Sequence, residues 1–579
     1  MIERQQKSSH GSPELAMAWG GPLTDEPALG ALTVPGYLFD VCERFDNHEA
    51  LVFSSPAGTT RWSYAELLNE AESIARALIA AGVSRDTRVG ILMTNRPQLV
   101  AAAFGCAMAG GIFVLLNTFS TPDELDYQIK VADLGVLLIE RYVVGKDFSQ
   151  ILASLEPELD KPAFERLSSI RWPYLRQVVA FEDAQQCTEG PLGIGDWRNF
   201  LAQGDCYQPE VIRARSSSVC PADAAAIFFS SGTTSLPKGI VHSHRALCVQ
   251  WWRWPRMYSD GLGDLRVWNA NAMFWSGPFS MCIGNALSSG GAMVLQSIFN
   301  PAEALDLFQS ERVTLPLARR HQWAQIEELP EFSAADLSEL RCFDYRLHFQ
   351  KEQSSLATPY VQPKAFGTTE TLTNIVSTIP TEPRDDDAGF GRPLPGNTIK
   401  IIDPLTGQTL AAGEKGELAV KGPTLMLHYL GKAPEDCFDH EGFYCTGDRA
   451  SIDESGNLIW EGRMTDMIKT GGANVAPDEV DEAIKTYPGI KITKTLGLPD
   501  DMLGEIVVSC VVAQRGEVIS EPELRSYLKQ HLASYKIPKE IFVVEQEDVA
   551  LTGSGAKIKV NDLRELAAEK LAARRTSKP

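Results

Sequence analysis

Residues 226–239 read AIFFSSGTTSLPKG, an apolar run that passes directly into a loop rich in hydroxyl side chains. The loop contains one lysine, Lys238, and opens with Ser230, Ser231, Gly232, Thr233 and Thr234. Such a loop can turn backbone N–H groups and hydroxyls towards phosphate oxygens, while the lysine supplies a mobile positive charge. The P-loop pattern of nucleoside triphosphatases is absent. The segment predicts an anion-binding loop that leaves a buried strand; a polar surface turn is the alternative.

Helical and strand patterns alternate on both sides of this loop. YAELLNEAESIARALIAAG (residues 64–82) has apolar residues at helical spacing and ends on glycine. Short apolar runs typical of buried strands occur at residues 87–93, 223–229 and 290–296. This alternation predicts an α/β fold with parallel sheets in the large N-terminal part of the chain.

One apolar stretch has two interpretations. LVAAAFGCAMAGGIFVLL (residues 99–116) contains 18 apolar residues in a row, which is the length of a marginal membrane span. However, the pair Gly110–Gly111 interrupts it and a β-rich tail follows this pair. We therefore expect a buried helix, a turn and a buried parallel strand, with no membrane span.

The pattern changes towards the C-terminus. Residues 389–420 carry dense turn signals between short alternating runs, which predicts a small β-rich subdomain. A further unit follows Gly462 and ends in a charged helical pattern, DLRELAAEKLAARR. We expect this unit to be a smaller α+β domain.

Composition excludes several classes of protein. With 579 residues, of which 44% are apolar and 22% charged, the chain is neither disordered nor fibrous. The net charge of −21 argues against nucleic acid as a partner. The 11 cysteines include no CxxC pair, which argues against a disulfide framework or a zinc ribbon. The N-terminus has no apolar run of signal-peptide length, so we expect a cytoplasmic protein.

Further motifs occur in order along the chain. They read FGTTET (residues 366–371), YCTGD (444–448), GRMTDMIKTGGANVAPDEV (462–480), LASYKIP (532–538) and GSGAKIK (553–559). Together with SSGTTSLPKG, this series resembles the motifs of the adenylate-forming superfamily. That superfamily includes acyl-CoA synthetases, luciferases and the adenylation domains of peptide synthetases.

The resemblance implies a reaction in two steps. A carboxylate attacks the α-phosphate of ATP and releases pyrophosphate, and the resulting acyl-adenylate is attacked by a nucleophile such as CoA. The first step brings two anions together, so it needs cations and hydrogen-bond donors around the phosphates.

The resemblance also implies a role for each motif residue. Ser230, Ser231, Gly232, Thr233, Thr234 and Lys238 would hold the phosphates, and Thr369 would contact the α-phosphate. Glu370 would hold Mg²⁺, which prefers oxygen ligands. Phe366, Gly367 and Thr368 would line the adenine site, and Asp448 and Arg463 would bind the ribose hydroxyls. Lys557 would be the catalytic lysine. Singly, Asp448 could cap a turn, Glu370 could begin a helix and Arg463 could be a surface charge.

In the superfamily the C-terminal domain turns as a lid between the two steps. The resemblance therefore divides the chain into a flexible N-terminus (residues 1–25), an acyl- and adenylate-binding domain (26–463), a hinge (464–467) and a mobile lid (468–579). Thr465 takes the hinge position, where many relatives have Asp or Lys. Gly471 and Gly472 would let the pantetheine arm of CoA approach closely; an ordinary turn is the alternative.

Residues 251–275 contain five tryptophans: Trp251, Trp252, Trp254, Trp268 and Trp275. Most of them are expected in the core. Trp275 is different because many relatives have there a histidine that gates the acyl pocket. A large flat side chain at that position favours a bulky hydrophobic carboxylic acid, whether fatty, aromatic or terpenoid.

Two stretches depart from the superfamily pattern. YRLHF (residues 345–349) replaces a glycine-rich pocket wall, and Lys557 follows Thr552 by one residue more than usual. One added residue can move a side chain by up to ~3.5 Å, which would damage adenylation selectively.

The leading hypothesis is an acyl-CoA ligase that uses ATP, Mg²⁺ and CoA. An alternative is a ligase that forms only the thioester from an acyl-adenylate supplied by a partner adenylating enzyme. A non-catalytic nucleotide-binding protein is a third hypothesis, and a carrier-protein thiol could replace CoA as the acceptor.

Overall fold

The computed structural model describes residues 15–26, 28–55, 58–162, 167–182, 190–230, 237–258, 265–342, 363–378, 389–464, 467–470, 473–475, 477–500, 503–532, 536–549 and 558–576. Two α/β sheets and a β-rich unit form the large N-terminal part, and a smaller α+β unit follows. The predicted fold class is therefore confirmed.

The first sheet contains the strand that precedes the phosphate loop. Its strands, numbered along the chain, are β4 (Arg88–Leu92), β5 (Ile112–Leu115), β6 (Leu134–Glu140), β9 (Gln177–Phe181), β10 (Ile194–Asp196), β11 (Ala224–Ser230), β12 (Lys238–Ser243) and β21 (His428–Tyr429). They lie in the order β10-β9-β6-β4-β5-β11-β12-β21. The sheet is parallel from β10 to β11, whereas β12 and β21 are antiparallel to their neighbours. A small hairpin, β7 (Tyr142–Val143) and β8 (Lys146–Asp147), follows β6 in the sequence.

The second sheet is also mainly parallel. It consists of β2 (Glu49–Ser55), β3 (Gly58–Ser63), β13 (Arg266–Asn269), β14 (Ala292–Leu295) and β15 (Leu315–Leu317). The order is β15-β13-β14-β2-β3, and only the β2–β3 pair is antiparallel.

Eleven helices accompany these sheets in the described part of the N-terminal region. They are α1 (Val34–Phe45), α2 (Tyr64–Ala80), α3 (Pro97–Met108), α4 (Pro122–Val131), α5 (Phe148–Leu155), α6 (Trp197–Gln203), α7 (Pro209–Ser217), α8 (His244–Tyr258), α9 (Ser276–Ser289), α10 (Pro301–Ser310) and α11 (Arg320–Glu327). The largest apolar cluster contains residues of α1, α2, α3, α8 and α9 together with residues of both sheets.

The long apolar stretch belongs to this core. Helix α3 is buried from Leu99 to Met108, Gly110 turns the chain at φ +86°, and β5 follows. Glycine adopts such a positive φ without strain. No helix among the described residues is long and apolar enough to cross a membrane. The interpretation as a buried helix, turn and strand is confirmed.

The β-rich unit is antiparallel and larger than residues 389–420. Its main sheet contains β1 (Met17–Trp19), β19 (Thr398–Ile402), β20 (Gly416–Lys421), β22 (Tyr444–Ile452) and β23 (Leu458–Arg463), in that order. A second sheet contains β16 (Ala365–Thr368), β17 (Thr373–Ser377) and β18 (Arg392–Pro393).

Residues 17–19 differ from the flexible segment that the sequence predicts for residues 1–25. They form β1, which pairs with β19 because Ala16 and Ala18 alternate with more exposed neighbours and join the apolar cluster of the β-rich unit.

The C-terminal unit is one sheet with apolar residues on both faces. Its strands are β24 (Ile468–Thr470), β25 (Ala473–Val475), β26 (Ile490–Asp500), β27 (Gly504–Ala513) and β28 (Glu540–Val543). Its helices are α12 (Pro477–Lys485), α13 (Glu521–Leu528) and α14 (Val560–Thr576). Along β27, Val508 and Cys510 join one apolar cluster, while Val507 and Val511 join another. This alternation is what buries a sheet between two layers.

Candidate active site

The two ends of the predicted phosphate loop are neighbours in the first sheet. Ser230 ends β11 and pairs directly with Lys238, the first residue of β12. Lys238 is exposed, and its Nζ lies 5.6 Å from the ring centroid of Tyr429. The residues between them include Ser231, Gly232, Thr233 and Thr234, which lie outside the described residues. The chain therefore leaves β11 and enters β12 at the same end of these two adjacent strands.

The predicted α-phosphate and metal residues lie in a tight turn between β16 and β17. Thr369 and Glu370 occupy this turn, so Glu370 does not begin a helix. Gly367 allows the hairpin to close, because a Cβ there would lie 1.7 Å from the carbonyl oxygen of Thr373. Leu372 and Thr373 have φ of +48° and +81°, values that L side chains rarely adopt. Such strain persists only where surrounding contacts enforce it.

Glu370 is fixed by the strand that neighbours Lys238. The Tyr429 hydroxyl on β21 donates to Glu370 Oε1 over 2.8 Å and lies 2.9 Å from the Tyr444 hydroxyl. Met426 N–H donates to the Glu370 carbonyl over 2.7 Å. Burial and the nearby Glu370 carboxylate raise the pKa of Tyr429, so its hydroxyl keeps the proton that it donates.

A histidine holds the residue before Glu370. His242 Nε2 lies 2.8 Å from the carbonyl oxygen of Thr369. The sequence contains no spacing that signals His242 or Tyr429, because only their side-chain contacts with this turn, which is distant in sequence, bring them to this place. Both residues were absent from the sequence-based prediction.

Asp448 and Arg463 are brought together by strand register. They are direct partners in the β22–β23 ladder, with Arg463 Nε 3.3 Å from Asp448 Oδ1. Trp460 Nε1 donates to the same oxygen over 3.1 Å, and Arg463 Nη1 donates to the Thr446 carbonyl over 2.7 Å. Asp448 therefore lies within a strand and does not cap a turn.

The second oxygen of Asp448 is a buried acceptor. Asp448 is only 1% exposed, and Oδ2 has no hydrogen-bond partner among the described residues. Burial raises the pKa of Asp448, while Arg463 and Trp460 oppose that rise. A buried carboxylate oxygen without a donor is costly, so this position suits a ligand that brings hydroxyl groups.

Trp460 connects Phe366 to the Asp448–Arg463 ion pair. The ring centroid of Phe366 is 6.2 Å from that of Trp460 and 6.4 Å from that of Phe390, and the residue is 8% exposed. The three rings form an aromatic cluster beside Asp448. The role of Phe366 in covering adenine, with Gly367 and Thr368 beside it, stays a prediction.

Four of the five tryptophans lie in the core, as expected, and the acyl-pocket role of Trp275 stays a prediction. Trp251, Trp252, Trp254 and Trp268 are at most 3% exposed and belong to the core. Trp275 is only partly buried, immediately precedes α9 and packs against Phe274 at 5.1 Å between ring centroids. The start of α9 approaches the strained turn, since a Cβ on Gly277 would lie 4.0 Å from Thr373 Cγ2.

Several predicted residues lie outside the described residues: Thr465, Gly471, Gly472, Lys557 and residues 345–349. No group of three or more acidic, histidine or cysteine side chains that could hold a metal occurs in the described ranges. Glu370 nevertheless suits Mg²⁺, because this ion is often held by one or two carboxylates together with substrate phosphates.

The fold and these motif residues define an adenylate-forming enzyme. The chain belongs to the AMP-binding enzyme family, whose model matches residues 38–430, and the model of the AMP-binding enzyme C-terminal domain matches residues 479–556.

Named relatives are similar over nearly the whole chain. A putative acyl-CoA synthetase of Bacillus subtilis, YngI, is 27% identical over 92% of this chain and 96% of its own length. A CoA ligase of Mycobacterium tuberculosis, named for a methyl-dioxo-octahydro-indenyl propanoyl group, is 28% identical over 92% of this chain and 99% of its own. The crystal structure of ATP-bound MatB from Rhodopseudomonas palustris matches with a TM-score of 0.72 and 25% identity, covering 92% of this chain and 99% of that one.

Proposed function

We propose that this protein is an acyl-CoA ligase that activates a bulky hydrophobic carboxylic acid with ATP and transfers the acyl group to CoA. One observation carries the proposal: strand β22 connects Glu370, the proposed Mg²⁺ ligand, with Asp448, the proposed ribose ligand. Tyr444 on β22 contacts Tyr429, which holds Glu370, and Asp448 lies further along the same strand. The relatives named as acyl-CoA synthetase and CoA ligase support the reaction type.

The candidate site residues that the structure describes have separate roles in this scheme. Lys238 neutralises phosphate charge, and Asp448 accepts hydrogen bonds from the ribose hydroxyls beside Arg463. Glu370 holds Mg²⁺, which would neutralise phosphate charge when bound. The acid's carboxylate oxygen bonds to the α-phosphorus as pyrophosphate leaves. The CoA sulfur then bonds to the acyl carbonyl carbon as AMP leaves, and the thiol proton passes to solvent.

The size of the acid is proposed from the side chain at the predicted acyl pocket. Trp275, which is partly buried just before α9, has a large flat apolar ring. The Mycobacterium tuberculosis relative, named for a bicyclic propanoyl group, gives further support. Fatty, aromatic and terpenoid acids all fit this description.

The test is a panel of hydrophobic acids with ATP, Mg²⁺ and CoA. Acid-dependent pyrophosphate release is measured beside the mass of the CoA thioester. We expect both signals with a bulky acid and neither with acetate. Pyrophosphate release without any CoA thioester would contradict CoA as the acceptor, and the same assay with a carrier protein would then identify a protein thiol.

A parallel reaction starts from synthetic acyl-adenylate and CoA. Thioester formation from the adenylate, without pyrophosphate release from the acid, would replace the proposal by a ligase that only forms thioesters. The comparisons give that alternative no support, and residues 345–349 and Lys557, which motivate it, lie outside the described residues. Membership of an enzyme family argues against a non-catalytic nucleotide-binding protein. The cytoplasmic location stays a prediction.

A further inference from the structure

His242 is a fully buried histidine at the edge of the candidate active site. It lies on β12, the strand that begins at Lys238, and its exposed fraction is 0%. Its ring meets Phe228 edge-on at 6.0 Å between centroids, and its Nε2 lies 2.8 Å from the carbonyl oxygen of Thr369. The imidazole thus connects the strand of the phosphate loop to the turn that carries Glu370.

The contact fixes the protonation of the ring. A carbonyl oxygen only accepts, so Nε2 must carry the hydrogen and donate it. Nδ1 is buried and has no hydrogen-bond partner among the described residues. Burial lowers the pKa of His242 to about 4, so the ring is neutral at ordinary pH. A neutral ring with its proton committed to Thr369 is a fixed donor and not a proton shuttle.

The turn is held from several directions, and His242 supplies the contact at Thr369. Met426 N–H and the Tyr429 hydroxyl hold Glu370, while Gln250 Nε2 donates to the carbonyls of Leu372 and Asn374. The backbone at Leu372 and Thr373 is strained, so the turn depends on such outside contacts to keep its shape. Without His242, the Thr369 carbonyl keeps the Leu372 N–H of its own turn but loses the donor that ties it to β12, at the point that precedes Glu370.

We propose that His242 is a positioning residue for adenylation. Its Nε2–H holds the Thr369 carbonyl so that Thr369 and Glu370 face the phosphates of the nucleotide bound beside Lys238. This rests on the proposed function. It predicts that the donor, and not the ring, is what the first half-reaction needs. Thioester formation from a preformed adenylate needs this donor much less, because the bond between the acyl group and the α-phosphate already exists.

Two variants separate the donor from the ring. His242→Phe keeps an aromatic ring against Phe228 and removes the donor, whereas His242→Gln removes the ring and keeps an amide donor. We expect His242→Phe to lower acid-dependent pyrophosphate release by roughly 10- to 100-fold, and His242→Gln to stay within about threefold of the unmodified protein. Thioester formation from synthetic acyl-adenylate should fall by less than about threefold in both. Hydrogen exchange of the backbone amides in residues 365–378 should rise in the Phe variant only.

His244 provides the matched control. It is also a buried histidine, 2% exposed, but its Nδ1 accepts from Val34 N–H, away from the turn. His244→Phe should lower the melting temperature without changing the ratio of the two half-reactions. If the Phe or Gln variant of His242 does not fold, His242→Leu and His242→Asn make the same comparison.

A higher adenylation rate in His242→Phe than in His242→Gln would show that the ring packs and the donor is dispensable, which overturns the proposal. Equal selective loss in His244→Phe would do the same. Absence of pyrophosphate release by the unmodified protein with every acid would instead contradict the proposed function.

Discussion

At the scale of single residues, Asp448 combines burial with an incomplete set of hydrogen bonds. Its Oδ1 accepts from Trp460 and faces Arg463, while Oδ2 has no partner among the described residues. A protein keeps such a group when a ligand completes it, because an unsatisfied buried acceptor costs about 1–3 kcal/mol.

Asp448→Asn should therefore weaken AMP binding. The amide keeps the shape and the acceptor for Trp460 but loses the negative charge that receives the ribose hydroxyls. Hydrogen bonds to charged groups contribute about 1.5–3 kcal/mol, so the dissociation constant measured by calorimetry should rise roughly 10- to 100-fold. Asp453→Asn is the control, since Asp453 only accepts hydrogen bonds within its own turn. Equal affinity in the Asp448 variant would remove the ribose assignment.

Tyr429→Phe should loosen Glu370. The variant removes the hydroxyl that donates to Glu370 Oε1 but leaves the ring near Lys238. We expect acid-dependent pyrophosphate release to fall roughly 10-fold and to need more Mg²⁺ for half-maximal rate. Tyr444→Phe is the control, because it leaves the Tyr429–Glu370 bond in place. The idea fails if both variants respond to Mg²⁺ identically.

At the scale of helices and strands, short motifs predicted the site only where one segment supplies it. The YCTGD and GRMTD motifs located Asp448 and Arg463, but their contact follows from the register of β22 against β23. Tyr429 and His242 could not be found, because the contacts of β21 and β12 with the turn join segments far apart in sequence. The alternation of helix and strand predicted the parallel sheets. The strand at residues 17–19 was missed because its partner lies near residue 400.

The junction of α1 and α8 predicts how stability depends on pH. His244 Nδ1 accepts from Val34 N–H, one of the N–H groups at the start of α1 that the helix itself leaves unpaired, over 3.2 Å. Burial lowers the pKa of His244 to about 4. In the unfolded chain a histidine titrates near 6.5, so the unfolded state binds the proton first. The free energy of unfolding should thus be greatest above pH 6.5 and fall between 6.5 and 4, by up to about 3 kcal/mol for this residue.

Urea unfolding between pH 7.5 and 5 measures this dependence. His244→Gln should flatten it, because an amide does not titrate and its oxygen can accept from Val34 N–H. His242 contributes a similar dependence of its own, so the variant reduces the slope without removing it. If His244→Gln leaves the slope of the free energy of unfolding against pH unchanged, a group other than His244 takes up the proton on unfolding.

At the scale of the whole molecule, one buried ion pair joins the N-terminal segment, the α/β core and the β-rich unit. Glu26 accepts from Arg253 Nε over 2.7 Å, and their side chains are 1% and 2% exposed. Arg253 on α8 also donates to the carbonyl of Pro395, just before β19, and Arg256 donates to Glu26. Burial lowers the pKa of Arg253, and the Glu26 carboxylate opposes this, so the pair keeps the guanidinium charged inside the protein.

Glu26→Gln should destabilise the protein far more than a surface charge does. The amide leaves the buried guanidinium of Arg253 without its counter-charge, and breaking one side of a buried pair costs about 3–5 kcal/mol. The neighbouring change Asp25→Asn is the control, since Asp25 is exposed and should alter the free energy of unfolding by less than about 0.5 kcal/mol. Urea unfolding at pH 7.5 measures both variants.

The cost should lie in the uncompensated charge and not in lost packing, and a double variant tests this. Replacing both partners, Glu26→Leu with Arg253→Met, removes the two charges together and fills similar volume, so it should recover most of the lost stability. Arg256 is partly exposed and can turn to solvent, so it should not prevent the recovery. A double variant as unstable as Glu26→Gln would show instead that the contact of Arg253 with Pro395 is what holds the β-rich unit against α8.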